Sequence, residues 1–521
     1  MSAEPGVRRW AIAAGAVGAA ALASFAAPAP TLAHAINQVY QLPLPLPLYL
    51  AGAGGAVAVS FLATAVVARA PHDVPRYATG PVPEGLASTA SVALRGLGIA
   101  WWLLAIASGF LLEDASPLPA VLFWIGIWVG LPLVTILFGS PWPSLSPFRT
   151  IFRGLEWAAR RIGFDRLDAG FRYPAGLARW PALILLAIAV WCELVLLGSE
   201  LAGTVARLMG AYTVLTLVGM TLFGPVAWLR NAELFEVILG WFGRIGPLGR
   251  RAARDELCRE CPARCDPARC VDCPECAVVA ERGDLRPELR PWFAGLTEAG
   301  PAGWSDAAFV VLLLTAVSFD GLAETSAWGA ILNVMFPPLL EVVGPLWAIP
   351  VTQTIGLVGL YAAFLLAFSV AAALTRHLGA STHTDAQAAL DAARPPFAET
   401  AAAYASTLLP IAAGYLVAHY LTLVVHGAVS LPGLLANPYG AIVEIGWIPS
   451  AAVWYVSVGS IVLGHVAAVV LAHRIALRDA PGRPALAGLP LVILMIGYTV
   501  LSLWIIAQPI TIEPGLIPAG G

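Results

Sequence analysis

Residues 350–375, PVTQTIGLVGLYAAFLLAFSVAAALT, form an unbroken stretch without a charged side chain, and Arg376 follows directly. A helix needs about 20 apolar residues to cross the roughly 30 Å hydrocarbon core of a bilayer, so this stretch is long enough to span a membrane. Nine similar stretches predict an all-α, polytopic integral membrane protein with about ten transmembrane helices. The predicted spans are 46–69, 96–112, 119–139, 181–199, 205–228, 305–319, 350–375, 401–428, 450–473 and 487–507.

The composition of the 521-residue chain supports the same class. Hydrophobic residues make up 59% of the chain, charged residues only 12%, and the mean hydropathy is +0.79. Soluble domains carry about 25% charged residues. The composition therefore excludes a soluble globular protein, a disordered chain and a nucleic-acid binder, and it predicts the lipid bilayer as the main partner.

The distribution of arginine predicts the orientation. All 29 basic residues are Arg, and 26 of them fall in alternate loops between the predicted spans. Loops rich in basic residues stay in the cytoplasm, so the chain is predicted to be a multi-pass protein of the cell (inner) membrane with these loops inside. The opposite loops carry acidic residues, namely Glu113, Asp114, Glu200, Asp320, Glu324 and Glu444.

Four segments divide the chain. Arg8 and Arg9 precede an apolar run that ends in small residues at Ala33, which predicts a signal peptide over 1–33, with an uncleaved signal anchor as the alternative. Residues 34–228 hold predicted helices 1–5, 229–304 form a cytoplasmic Cys-rich loop, and 305–521 hold helices 6–10. The apolar region 328–349 is interrupted by prolines and is predicted to be re-entrant or interfacial.

Six of the seven cysteines lie in the long cytoplasmic loop, at Cys258, Cys261, Cys265, Cys270, Cys273 and Cys276. Pairs of cysteines separated by two residues suit a metal knuckle, and the last three also match the start of a ferredoxin-type spacing. Disulfides are disfavoured in a reducing cytoplasm. The cluster is predicted to bind Zn²⁺ or an iron–sulfur cluster; the alternative is a redox-labile loop without metal.

Ionisable residues within the spans are the candidates for a membrane site. His419 and His426 share one span, seven residues and about 10 Å apart along a helix axis. His465 is expected at a depth similar to that of His419, and Asp320 at the outer end of its span. Because such residues are costly in a bilayer, the set predicts a site that holds a divalent metal, Zn or Cu. The alternative is that these side chains only bridge neighbouring helices.

His34 is a further candidate ligand. If the signal peptide is removed after Ala33, His34 becomes the first residue, and its amine and imidazole together suit copper. The alternative is that His34 merely flanks the cleavage site.

Short motifs along the chain are similar to those of bacterial polytopic membrane proteins called fenitrothion hydrolases. The motifs are LAHA (32–35), LPLPL (44–48), SPWP (140–143), SFDG (318–321), PIAAGYLVAH (410–419) and GHVAAVVLAH (464–473). The resemblance implies hydrolysis of an organophosphorus triester at the P–O–aryl bond, with release of a nitrophenol. It carries no catalytic residue over to this chain, and the Cys-rich loop has no place in it.

Three functions remain open from the sequence. The first is a membrane-embedded, metal-dependent phosphotriester hydrolase, in which His419, His426 and His465 hold the metal and Asp320 acts as a ligand or base. Its substrate would be small and apolar. The second is copper or zinc transport or handling, with a metal ion as the partner. The third is membrane electron transfer, with His419 and His465 as haem ligands and a cluster on the cysteines.

Overall fold

Helices dominate this computed structural model. It describes residues 40–41, 43–67, 84–164, 166–252, 254–260, 272, 285–297, 303–379, 396–443, 445–480 and 482–512. The predicted signal peptide and His34 lie outside the described residues.

The helices follow one another with short connections. In chain order they are α1 (Leu46–Val67), α2 (Glu84–Leu111), α3 (Leu118–Phe138, with a π-helical middle at Val121–Gly130), α4 (Trp142–Leu145), α5 (Pro147–Arg161), α6 (Trp180–Leu194), α7 (Ala202–Phe223), α8 (Pro225–Asn231), α9 (Leu234–Gly243), α10 (Asp255–Glu260), α11 (Ala294–Thr297), α12 (Trp304–Ala323), α13 (Ser326–Val343), α14 (Pro345–Leu378), α15 (Phe397–Ala405), α16 (Leu409–Ala436), α17 (Ser450–Asp479) and α18 (Pro484–Ile510). Short 3₁₀ turns precede α6 and α16, at Ala175–Leu177 and Ser406–Leu408.

Eleven of these helical segments are long and apolar enough to cross a membrane, which confirms the all-α polytopic membrane class. Ten of them overlap the predicted spans. The additional one is α13, in the region predicted to be re-entrant or interfacial, and Trp328 is its one buried side chain.

The ends of the bundle are distinguished by charge. Arg179, just before α6, forms an ion pair with Asp306 in the first turn of α12. Arg149 of α5 pairs at 2.7 Å with Glu236 of α9 nearby. We call this end, where α6 and α12 begin, the Arg-rich end.

Contacts along α14 show its direction. A Cβ on Gly356 would lie 2.0 Å from the ring of Trp328 and 2.9 Å from that of Phe319, near the end of α12. Five residues on, the Tyr361 hydroxyl donates to the carbonyl of Ala308 near the start of α12, at 3.1 Å. Helix α14 therefore runs back to the Arg-rich end. Helix α13 and the first turns of α14 therefore form a hairpin beyond the level of Phe319.

Two small strand pairs complete the fold. Strand β1 (Tyr40–Gln41) pairs in parallel with β4 (Thr511–Ile512). Strand β2 (Leu248–Ala252) pairs antiparallel with β3 (Leu285–Leu289), in the register Leu248↔Leu289. Strand β2 lies against the end of α3 at Gly139, whose φ of 110° favours glycine and where a Cβ would lie 2.1 Å from the Leu248 oxygen. The β2–β3 pair therefore covers the Arg-rich end of α3.

Helices α8 and α9 form a hairpin that re-enters the bundle after α7. Gly224, with a φ of 80°, reverses the backbone, and Pro225 begins α8. Trp228 of α8 packs on Gly219 of α7, where a Cβ would lie 2.1 Å from the indole. Helix α8 thus runs back along α7, and α9 returns to the Arg-rich end.

Glu233 lies at the tip of this α8–α9 hairpin, and its carboxylate accepts four hydrogen bonds. The donors are the Tyr212 hydroxyl at 2.5 Å, the Trp142 indole at 3.1 Å, and the backbone N–H groups of Phe235 and Glu236 at 3.0 and 2.7 Å. Tyr212 lies eleven residues before the end of α7, about 16 Å along the axis at 1.5 Å per residue. Glu233 therefore caps α9 and joins it to α7 deep within the bundle.

Helices α16 and α17 pack closely through two glycines. A Cβ on Gly414 would lie 2.4 Å from the carbonyl oxygen of Ser460, and a Cβ on Gly464 would lie 2.4 Å from that of Pro410. Small residues at such contacts allow membrane helices to approach one another. The reciprocal contacts fix the antiparallel register of the two helices.

We expect Gly464→Leu to destabilise the protein by about 1–3 kcal/mol, because the new side chain must displace the Pro410 carbonyl. Gly459→Leu, on the same helix, is the matched control, since a Cβ there meets no atom within 4 Å. Thermal unfolding in detergent, followed by circular dichroism, measures the difference. Equal midpoints for the two variants would contradict the close approach of α16 and α17.

Candidate functional site

Asp320 and His419 lie together in the structure. Asp320 is near the end of α12, and its Oδ2 lies 3.1 Å from His419 Nε2 on α16. The hydroxyl of Tyr420 donates to the same oxygen at 2.5 Å. The His419 side chain is 4% exposed and that of Asp320 is 15% exposed. The group is therefore a nearly buried acid–base cluster between two spans.

Local packing positions the cluster. Gly321 follows Asp320, and a Cβ there would lie 2.2 Å from the Tyr415 hydroxyl. The ring of His419 lies between two tyrosines, with centroids 5.8 Å from Tyr415 and 4.7 Å from Tyr420. Glycine at 321 thus lets α16 approach α12 closely enough for His419 to reach the carboxylate.

A second carboxylate, Glu193 on α6, belongs to the same neighbourhood. Its side chain lies beside Trp128 of α3 and close enough to Asp320 for their charges to interact. Glu193 and Tyr420 line one small cavity of about 50 Å³, whose other walls are mostly apolar. Glu193 was not among the site residues predicted from the sequence. The available signal was its position as the acidic residue inside the apolar run 181–199, where a charge is costly.

Helix α9 separates this small cavity from the Arg-rich end. Phe235, Ile238 and Phe242 line the small cavity. Val237 and Trp241, on the other side of α9, line a larger cavity that lies at the Arg-rich end. Helix α9 is therefore the wall between the acid–base cluster and the Arg-rich end.

His426 is placed away from the cluster. Its Nε2 accepts a hydrogen bond at 3.3 Å from the backbone N–H of Ile445, in the connection between α16 and α17. One turn on, the Ser430 hydroxyl accepts from the N–H of Val443 at 2.8 Å. These residues anchor the connection at the end opposite the Arg-rich end, so His426 contacts this connection and not the Asp320–His419 cluster.

His465 does not reach the depth of His419, which corrects the expectation of similar depth. The Ser457 hydroxyl donates to the carbonyl of Ala418, and Gly464 lies against Pro410. This antiparallel register puts His465 opposite the start of α16, about 14 Å along the axis from His419. The Nδ1 of His465 lies 2.8 Å from the Ile461 carbonyl of its own helix.

The predicted metal set of His419, His426, His465 and Asp320 is consequently not assembled; only Asp320 and His419 meet. Across the described ranges, no three His, Cys, Asp or Glu side chains form a group that could hold a metal ion. The spacing of seven residues keeps His426 apart, and the helix register removes His465. The cluster that remains has the chemistry of proton binding.

The structure describes one of the six clustered cysteines. Cys258 is a buried free thiol on α10. The other five cysteines, Cys261, Cys265, Cys270, Cys273 and Cys276, lie outside the described residues, as does His34. Zinc or iron–sulfur binding by the cluster stays a prediction.

The chain matches no protein-family model, no curated protein and no solved structure.

Proposed function

We propose that this chain is a proton-linked membrane transporter, in which Asp320, His419 and Tyr420 bind and release a proton within the bundle. The observation that carries the proposal is the hydrogen-bonded cluster on Asp320 Oδ2, with Glu193 as a second acid beside it. Ionisable groups within membrane spans are costly, and chains of Asp, Glu and His mark proton relays.

The electrostatics of the cluster favour a single mobile proton. Two carboxylates close together in an apolar surrounding disfavour the state in which both are ionised. A proton shared among Glu193, Asp320 and His419 lowers that cost, and the Tyr420 hydroxyl both contacts Asp320 and lines the cavity beside Glu193. Movement of the proton between the two acids would change the charge next to α9.

The direct test uses purified protein in vesicles that contain a pH-sensitive dye. An imposed membrane potential should drive proton flux through vesicles that contain the protein and not through empty vesicles. Equal proton flux in vesicles with and without the protein would count against the proposal.

A second candidate, organophosphorus triester hydrolysis, is favoured by one observation. An imidazole hydrogen-bonded to a carboxylate, as His419 is to Asp320, is the arrangement that lets a histidine take a proton from water. The water oxygen would then attack phosphorus and expel a nitrophenolate. The adjacent cavity of about 50 Å³ is far below the roughly 300 Å³ or more of usual ligand sites, so transport of protons is the better-supported function.

The hydrolase candidate has its own readout, the release of nitrophenol from fenitrothion by the same vesicles. Nitrophenol release without proton flux would favour hydrolysis over transport. Copper or zinc handling would use His34, the His/Asp set of the membrane spans and the cysteine cluster. Electron transfer would use His419 and His465 as haem ligands with a cluster on the cysteines. Both stay predictions.

We further propose that the Arg-rich end faces the cytoplasm of a cell with the protein in its inner membrane, because basic residues mark cytoplasmic loops. Reporter fusions after Arg161, at the Arg-rich end, and after Pro438, at the opposite end, are expected to report cytoplasm and periplasm respectively. The reverse pair of signals would invert the whole topology.

A further inference from the structure

The larger cavity lies at the Arg-rich end, between α3, α9 and the β2–β3 pair. Its volume is about 510 Å³, within the range of sites that bind small organic ligands. One wall is apolar and contains Val134 and Phe138 of α3 with Val237 and Trp241 of α9. The cavity therefore offers contact to an apolar part of a ligand.

The charged residues of the same cavity are mostly cations. Five arginines line it, against the two acids Glu236 and Asp272; they are Arg149, Arg179, Arg230, Arg244 and Arg250. Both acids are already paired: Glu236 with Arg149 at 2.7 Å, and Asp272 at 2.9 Å with Arg290 behind the wall. The lining therefore has an excess of positive charge.

Arg244 is the clearest sign of an anion site. Its guanidinium stacks over the Trp241 ring, 4.6 Å from the centroid. Among the described residues no carboxylate lies within ion-pair distance of it. Burial and, after it, the nearby charge of Arg179 lower the pKa of Arg244 to about 10, against the opposing effect of Asp272 and Asp306. A cation held in such a surrounding is stabilised by an anion that enters the cavity.

The position of the cavity suggests where an amphiphilic ligand would come from. Arg149, in its lining, belongs to α5, which has buried Phe148 and Phe152 on one face and arginines on the other. Trp157 of α5 is 61% exposed, and Arg161 stacks over its ring. Amphipathic helices with this pattern lie at the headgroup level of a membrane, where anionic lipids attract arginine.

We propose that this cavity binds the phosphate monoester group of an amphiphile, with the phosphate at Arg244 and Arg250 and the apolar part against α3 and α9. Guanidinium groups bind phosphate oxygens in a bidentate, charge-assisted manner, which suits this group more than a neutral ligand. An inorganic phosphate ion would fill a small part of the volume. That the bound molecule is the transported substrate rests on the proposed transport function; the binding itself does not.

The test is isothermal titration of the full-length protein in phosphatidylcholine nanodiscs with three probes. These are a short-chain phosphatidic acid, the matching phosphatidylcholine, and inorganic phosphate. Phosphatidic acid is expected to bind, and phosphatidylcholine is expected not to. Binding of phosphatidic acid alone supports a lipid source of the phosphate. Equal binding of inorganic phosphate supports a soluble source. No binding of either phosphate probe overturns the proposal.

Variants locate the binding. Arg244→Gln and, separately, Arg250→Gln should weaken phosphatidic acid binding by about tenfold or more, because each removes a charge-assisted contact. Arg207→Gln, an exposed arginine on α7 hydrogen-bonded to Thr204 of its own helix, is the matched control and should bind as the wild type does. Unchanged affinity in both cavity variants overturns the proposal. If the wild-type protein conducts protons but does not bind phosphatidic acid, the phosphate site is refuted and the transporter is not. If it binds phosphatidic acid but conducts no protons, the transporter is refuted and the phosphate site is not.

Discussion

Replacing Asp320 with Asn is expected to abolish proton flux while the protein stays folded in the membrane. The amide oxygen of Asn can still accept the hydrogen bond of Tyr420, so the contact between α12 and α16 is retained. The amide cannot take up or release a proton, however, and the site loses its exchange with Glu193 and His419. We expect a fall in flux of about 100-fold or more, the size of effect typical for loss of a proton-transfer group.

Asp114→Asn is the matched control for this substitution. Asp114 lies at the same end of the bundle, is exposed, and accepts a hydrogen bond at 2.9 Å from the N–H of Gly203. Its loss should leave the flux unchanged. Infrared difference spectra between mildly acidic and mildly alkaline buffer provide a second readout, since a titrating carboxyl band should vanish in Asp320→Asn and not in the control. A fully active Asp320→Asn variant would remove the cluster from the mechanism.

Glu233→Ala is expected to give the largest loss of stability, about 3 kcal/mol or more. The substitution removes the cap of α9, worth about 1 kcal/mol, and leaves the buried Tyr212 hydroxyl and Trp142 indole without their acceptor, at about 1–3 kcal/mol each. Glu233→Gln, which keeps one oxygen as an acceptor, should be intermediate. The midpoint of thermal unfolding in detergent should be highest for the wild type, lower for Glu233→Gln and lowest for Glu233→Ala.

The control is Glu156→Ala on α5. Glu156 forms a partly exposed ion pair with Arg160 at 3.9 Å, and such pairs contribute about 0.5 kcal/mol or less. Its loss should not move the midpoint measurably. If Glu233→Ala were as mild as Glu156→Ala, the hairpin tip would not be the anchor that its four hydrogen bonds indicate.

The course of the chain through the membrane could be predicted because it depends on local composition. Apolar runs of sufficient length mark spans wherever they occur, and ten predicted spans correspond to helices of the structure. The hairpin α8–α9 could not be predicted in this way. Its helices are too short to cross a bilayer, and the reversal at Gly224 depends on packing against Gly219, which sequence spacing does not reveal.

The candidate site was predictable in part for a similar reason. Asp320 and His419 could be assigned to one candidate site because each is costly within a bilayer. That the two side chains meet depends on α12 lying beside α16, which sequence spacing does not reveal. The separation of His465 depends on the register of α16 against α17, which is set by the Gly414 and Gly464 contacts. Register between helices is a tertiary property, so residue depth estimated along a single span was not sufficient.

The short length of α9 also has a consequence for biosynthesis. Ten residues cannot be recognised as a span during insertion, so α9 has no place in the bilayer until α3, α6 and α7 surround it. The hairpin must then dock from the Arg-rich side after its neighbours have been inserted, and the pairing of Glu233 with Tyr212 completes that step. Folding of this protein is therefore divided into an insertion stage and a later docking stage.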